Sequence, residues 1–258
     1  MRLGLCTGFD GLDAARKAGF DYIEPPVAAL VPDKPDADFA AVAAAAKKAA
    51  IKPEAFNCFI PASLKITGPD ANLKALADYV AIAAARAASI GGKVIVFGSG
   101  AARAVPQGFP ADKAMDQVVQ FLRAIAPIAR KAGITVAIEP LRKAECNIIN
   151  LVSEGYALAR LVGAPAVLGL ADLYHVGQEN EPYAAIAAGG TLLAHVHVAH
   201  PVTRKCPLPG DGFDYRPFLR ALKQAGYDDR ISLECGWDSL PEQGPEAAGH
   251  LRTQWNLS

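Results

Sequence analysis

The stretch Ile134-Thr135-Val136-Ala137-Ile138-Glu139-Pro140 decides the fold. It opens with an apolar run rich in β-branched residues and almost without polar alternation, as expected of a strand covered on both faces. A helix candidate, Lys113–Lys131, runs into it, and Gly133 sits at the hand-over. Glycine just past a helix end takes the left-handed conformation at little cost.

Outward from this unit the same pattern recurs. Strand candidates are Leu3–Thr7, Tyr22–Glu24, Ala55–Phe59, Val94–Gly98, Ile134–Glu139, Val167–Asp172, Leu193–Val198 and Ile231–Glu234. Helix candidates between them are Leu12–Lys17, Phe39–Ala50, Asn72–Ala88, Lys113–Lys131, Ser153–Val162, Pro182–Ala188 and Phe218–Gln224. The glycine hand-over repeats at Gly19, Gly91, Gly163, Gly189 and Gly226. Parallel strands joined by right-handed helical crossovers form an open doubly wound sheet or a closed barrel. Eight strand candidates in 258 residues favour the barrel. An open sheet binding a dinucleotide should show G-x-G-x-x-G after its first strand. Here Thr7-Gly8-Phe9-Asp10-Gly11 follows instead, and no G-x-x-x-x-G-K-[ST] occurs. The expectation is therefore an α/β fold, a (β/α)8 TIM barrel, with residues 1–258 as a single domain because no composition break divides them. Val31–Asp36 and Gly98–Asp112 are expected as loops on its active face.

Composition removes whole classes of function. Lys plus Arg and Asp plus Glu both total 26, so the net charge is zero. That balance offers no general attraction for a polyanion, and no nucleic-acid partner is expected. At 52% hydrophobic residues the chain can fill a large core. Yet its longest apolar runs, such as Val80–Ala85, stop well short of the roughly 18 residues a membrane span needs. No membrane association is expected, and no signal peptide, because Gly8–Leu12 interrupts any apolar segment near the start. Cys6, Cys58, Cys146, Cys206 and Cys235 are odd in number and lack a C-x-x-C pair, so a reducing cytoplasm is the expected setting.

In such a barrel, chemistry collects at the carboxyl ends of the strands. Four successive ends in the second half carry ionisable groups: Glu139, Asp172, His197 and Glu234. A lone glutamate at a strand end is ordinarily a solvated rim residue, but four in series are harder to dismiss. Adjacent strands lie roughly 5 Å apart, so these side chains can converge. Three carboxylates together repel unless a cation offsets them. Three carboxylates and one imidazole suit a fairly hard divalent ion, Mn2+ first, then Mg2+ or Co2+. His195 is expected as a hydrogen-bonded core residue, Cys6 and Cys58 as small core packers, and Phe9, Phe97 and Trp237 as apolar walls.

At these residues the chain resembles the xylose isomerase-like sugar isomerase and epimerase superfamily. It is most similar there to the ketose 3-epimerases (the D-tagatose and D-psicose 3-epimerase group), with hydroxypyruvate isomerases as near relatives. The resemblance lies in Glu139-Pro140-Leu141-Arg142-Lys143-Ala144-Glu145 through Asn150, in Asp172-Leu173-Tyr174-His175, in His195-Val196-His197 with Arg204 and Pro209-Gly210-Asp211-Gly212, and in Ile231-Ser232-Leu233-Glu234. The family pattern has Asn-Arg where Arg142-Lys143 stand here, and Arg204 falls one position late. The resemblance implies that Glu139, Asp172, His197 and Glu234 are metal ligands, that Glu139 and Glu234 are the catalytic acid and base, and that Glu145, His175 and Arg204 touch substrate oxygens. The implied reaction is metal-dependent sugar epimerisation or isomerisation, by proton transfer through a metal-bound enediolate. A homodimer or homotetramer is expected by analogy. The runner-up is a lyase dehydrating an inosose-like or dehydroshikimate-like keto-polyol on the same metal platform. An endonuclease IV-type nuclease would need more than five histidines and a basic groove. A non-catalytic carbohydrate-binding barrel is the last alternative.

Overall fold

The computed structural model describes residues Met1–Ser258. Its strands are β1 (Arg2–Cys6), β2 (Tyr22–Glu24), β3 (Lys52–Pro53), β4 (Ala55–Phe56), β5 (Val94–Phe97), β6 (Thr135–Ile138), β7 (Val167–Asp172), β8 (Leu193–Val198) and β9 (Arg230–Leu233). They pair in the order β3-β2-β1-β9-β8-β7-β6-β5-β4, and every pair is parallel. The two ends of that order, β3 and β4, are separated in sequence only by Glu54, and there the barrel closes. The Glu54 amide donates to the Ile23 carbonyl at 3.2 Å while its carbonyl accepts from Lys93 N at 2.8 Å. One residue thus hands the chain from one neighbouring strand to the other. The single strand expected over Ala55–Phe59 is corrected by this split, since pairing begins at Lys52 and the ladder ends at Phe56.

The helices are α1 (Leu12–Lys17), α2 (Asp36–Lys48), α3 (Leu73–Ser89), α4 (Gly100–Arg103), α5 (Ala111–Ala132), α6 (Val152–Val162), α7 (Leu173–Gln178), α8 (Ala184–Ala187), α9 (Arg216–Gln224) and α10 (Leu240–Leu257). Those expected from sequence stand within a turn of their expected boundaries. In α5, Val118, Phe121, Leu122, Ile125 and Ala129 recur at helical spacing and are buried, and Gly133 ends the helix at φ 71°. Three helices, α4, α7 and α10, were not expected; α4 interrupts the loop expected over Gly98–Asp112, where Arg103 is buried against the carbonyls of Phe97 and Glu139. Pro241, Gly244 and Pro245 mask the start of α10 in the sequence. Pro241 is tolerated because first-turn amides have no intrahelical partner. Buried Ala247, Ala248, Leu251 and Trp255 dock α10 beside α1 and α9.

Five of the six hand-over glycines have positive φ, but Gly189 does not, at −69°. Gly190 takes the left-handed turn instead, at φ 52°. Gly189 is small for a different reason: a Cβ there would lie 2.3 Å from Cζ of Tyr156.

Alternate residues of each strand enter the barrel. Tyr22, Ala55, Val94, Val96, Ala137 and Leu170 form one buried cluster inside it. Phe97 therefore faces outward, fully buried between Phe121 (ring centroids 5.4 Å apart) and the Arg103 guanidinium. It is not a wall of the active face, as was expected. Cys58 is exposed with φ 49°, not packed in the core, whereas Cys6 is half-buried.

The lower end of the barrel is tied by charge. Glu54 accepts from Arg230 Nε at 2.8 Å and pairs also with Arg2, joining β1, β9 and the closure point. No helix is long and apolar enough to cross a membrane.

Candidate active site

Asp172 and His197 are the last or next-to-last residues of β7 and β8 and stand opposite each other in register. Glu139 and Glu234 lie one residue past β6 and β9, yet their amides still extend the ladders, to Phe97 O at 3.1 Å and Val198 O at 3.2 Å. The four side chains consequently meet over one point. His197 Nδ1 is 3.0 Å from Glu139 Oε1, 3.7 Å from Asp172 Oδ2 and 3.9 Å from Glu234 Oε2. One donor atom from each of the four lies within 4.8 Å of all the others.

The electrostatics of this cluster suit a cation. Burial disfavours a charged imidazolium, but the carboxylates of Glu24, Glu139 and Glu234 outweigh it and hold the His197 pKa well above its ordinary value. Burial pushes the Glu234 carboxyl up to about 7; Glu139 and Asp172 add to the rise, while His197 and Arg204 oppose it. Asp172 Oδ2 is buried without any hydrogen-bond partner. An unpaired buried carboxylate oxygen among two more carboxylates is costly, and a divalent ion would remove that cost. Ligand distances near 2.1 Å place the donors of one ion roughly 3–4 Å apart, close to the spacing seen here. The residues fit the ion.

The remaining sequence candidates gather at the rim. Arg204 donates to Glu234 Oε2 at 2.8 Å and to Glu145 Oε1 at 3.1 Å, and its guanidinium lies 4.7 Å from the centre of the Tyr174 ring. Glu145 also accepts from Arg142 Nε at 2.7 Å. Asp172 Oδ1 accepts from the His175 amide at 3.0 Å, so the same side chain that faces the cluster caps α7 and seats His175. The His175 ring accepts the Arg142 amide at Nδ1 (3.2 Å) and leaves buried Nε2 without a partner. His195 is fully buried and hydrogen-bonded, as expected.

Three residues that hold this site were not singled out from sequence. Glu24, at the end of β2, accepts from both His197 and His195 at 2.8 Å. Its position at the end of an apolar strand was the available signal. Gly98 follows β5, and a Cβ there would lie 2.2 Å from Glu139 Oε2, so its missing side chain is the space that carboxylate occupies. Arg103 is fully buried and donates to the carbonyls of Phe97 and Glu139, both at 2.8 Å, clamping the end of β6 to β5. Nothing in the sequence distinguishes it from a surface arginine.

Left-handed backbone recurs along the chain outside glycine. Val31, Cys58, Ser99, Ile149, Asn180 and Arg204 are the non-glycine residues with positive φ, and each lies in a segment downstream of a different strand from β2 to β8. Such conformations cost on the order of 1–3 kcal/mol each.

The chain is similar to known proteins to differing extents. D-psicose 3-epimerase of Agrobacterium fabrum (strain C58 / ATCC 33970) is 31% identical over 129 residues, covering 48% of this chain and 44% of that protein. L-ribulose 3-epimerase of Methylomonas sp. (strain DH-1) is 27% identical over 147 residues, 51% of each. The alignments thus span about half the length of these curated relatives. A crystal structure of D-psicose 3-epimerase in the presence of D-fructose superposes with a TM-score of 0.85 at 20% identity, covering 99% of both chains, a likeness of fold. The family model described as xylose isomerase-like TIM barrel matches residues 12–254. With a closed parallel barrel carrying its ionisable cluster at the strand ends, and a match over nearly its whole length, the chain belongs to the xylose isomerase-like TIM barrel family.

Proposed function

We propose that this protein is a divalent-metal-dependent ketose 3-epimerase acting on a small sugar. The observation that carries this is the convergence of Glu139, Asp172 and Glu234 on His197 Nδ1. Partial-length similarity to D-psicose and L-ribulose 3-epimerases supports it.

Glu139, Asp172, His197 and Glu234 would hold the ion, Mn2+ or alternatively Mg2+ or Co2+. When bound, it would polarise the oxygens of the ketose and acidify the neighbouring C–H. The chain's own work is proton transfer. Glu139 and Glu234 come from strands on either side of Asp172 and His197, so their carboxylates address opposite faces of a sugar between them. One removes the proton from the carbon next to the carbonyl; the other delivers a proton from the far side and inverts that centre. Arg204, bonded to Glu234 and Glu145, orients both carboxylates toward the sugar. Glu145 and the unpartnered Nε2 of His175 bind its hydroxyls. A homodimer or homotetramer in the cytoplasm, built of one barrel per chain, completes the proposal.

The test is turnover of a ketose panel in D2O by protein stripped of metal and reloaded with Mn2+, followed by NMR. Epimeric ketose carrying deuterium at carbon 3 is the expected product. Loss of water would replace the proposal with elimination on the same platform, and an aldose product with aldose–ketose isomerisation. No turnover of any ketose would overturn it.

A further inference from the structure

Beneath the four converging groups the barrel holds a second polar layer, sealed from solvent, with Glu24 at its hub. Glu24 Oε1 lies 2.8 Å from His197 Nε2. Its Oε2 lies 2.8 Å from His195 Nε2 and 2.5 Å from Ser232 Oγ, which is in turn 2.8 Å from the Tyr22 hydroxyl. Glu24, His195, His197, Ser232 and Tyr22 are all fully buried.

We propose that Glu24 is a positioning residue: it fixes His197 as the Nε2–H tautomer and thereby turns the Nδ1 lone pair to the cation. This rests on the proposal that a cation binds the cluster above. An ionised carboxylate has only acceptors, so every polar group facing it must donate. His197 must then carry a proton on Nε2; by the same rule Nδ1, 3.0 Å from Glu139 Oε1, is also protonated when no ion is bound, and the ion would displace that proton and leave the Nε2–H tautomer. His195 supports the same polarity. Its Nδ1 is buried without a partner, so a proton there would be an unpaired donor, and its single proton belongs on Nε2 toward Glu24. Ser232 donates to Glu24 as well, which obliges Tyr22 to donate to Ser232. Every proton of the layer therefore points toward Glu24.

A carboxylate behind a ligating imidazole sets the ring's orientation and strengthens it as a ligand, and losing such a partner typically weakens metal binding about 10–100-fold. Glu24→Gln keeps the shape but removes the charge and puts a donor among donors.

The experiment is Mn2+ titration of metal-free protein, following free Mn2+ by EPR, alongside thermal unfolding of each metal-free variant. Wild type should bind, Glu24→Gln about 10–100-fold more weakly, and Tyr22→Phe, which cuts the far end of the layer, within about threefold of wild type. Nitrogen-15 spectra of Zn2+-loaded wild type should show His197 protonated at Nε2. Glu24→Gln binding as tightly as wild type would overturn the inference. So would an unprotonated His197 Nε2, or a Tyr22→Phe loss equal to that of Glu24→Gln, which would mark a packing effect. If Glu24→Gln does not fold, Glu24→Asp, with its carboxylate withdrawn by one methylene, carries the same expectation. Wild type that takes up no Mn2+ would sink the functional proposal itself, and the tautomer inference with it.

Discussion

Gly98→Ala should damage the active site while leaving the fold alone. The added Cβ would stand 2.2 Å from Glu139 Oε2 and 3.4 Å from its Cδ, with Leu141 Cδ2 next at 3.6 Å. Non-bonded heavy atoms rest at about 3.5 Å, so the carboxylate must retreat by about 1 Å. Gly98 does not have positive φ, so alanine meets no backbone penalty. The displaced atom is also the end of a flexible side chain. The thermal midpoint should therefore hold or rise slightly, since glycine-to-alanine changes of this kind contribute about 0.4–1 kcal/mol through the unfolded state. Activity should respond differently, because a misplacement of about 1 Å at a reacting group costs on the order of 100-fold. The assay is kcat/KM on the best ketose, with thermal unfolding of the same preparations. Gly189→Ala is the complement: its Cβ would meet the buried Tyr156 ring at 2.3 Å. It should cost about 1–3 kcal/mol of stability by overpacking. Its kinetics at a temperature where it is folded should match wild type. A Gly98→Ala enzyme within threefold of wild-type activity would refute the placement of Glu139 at the reacting centre.

Glu139→Gln and Glu234→Gln should each lower turnover by about 100-fold or more with circular dichroism unchanged; near-normal rates in either variant would remove the two-base scheme. In metal-free protein the Glu234 carboxyl, held at about 7 against 4.5 in the unfolded chain, contributes stability that is present below about pH 4.5 and lost as pH rises through 7. That loss is on the order of 3 kcal/mol, so urea titrations should show Mn2+ stabilising the protein far more at pH 8 than at pH 5; an equal gain at both would contradict it. Glu54→Gln, at the opposite end of the barrel, should cost about 1–3 kcal/mol by breaking the partly buried pairs with Arg230 and Arg2, without altering kcat/KM; a changed rate would show that the two ends are coupled.

What was legible in the sequence followed from local, periodic signals. The run Ile134–Glu139 and its repeats mark strands because a doubly covered strand has to be apolar throughout, and the ionisable residue that breaks each run marks the active face. That is how Glu139, Asp172, His197 and Glu234 were found together. Glu24 breaks the β2 run in the same way but stands alone in the first half of the chain, and its partners His195 and His197 lie more than 170 residues on. Arg103 and Gly98 act on Glu139 through a barrel register that composition does not reveal. Gly189 shows the reverse error. A glycine at a helix end reads as a turn, but the ring of Tyr156, brought against it by folding, demands the missing Cβ.

The central claim is that one divalent ion is shared by four side chains at the carboxyl ends of β6 to β9. Its most direct test is anomalous diffraction at the manganese edge from crystals of this protein equilibrated with Mn2+. The account predicts a single strong peak bonded to Glu139, Asp172, Glu234 and Nδ1 of His197. No peak among these residues, or an ion held there without His197 Nδ1, would contradict it.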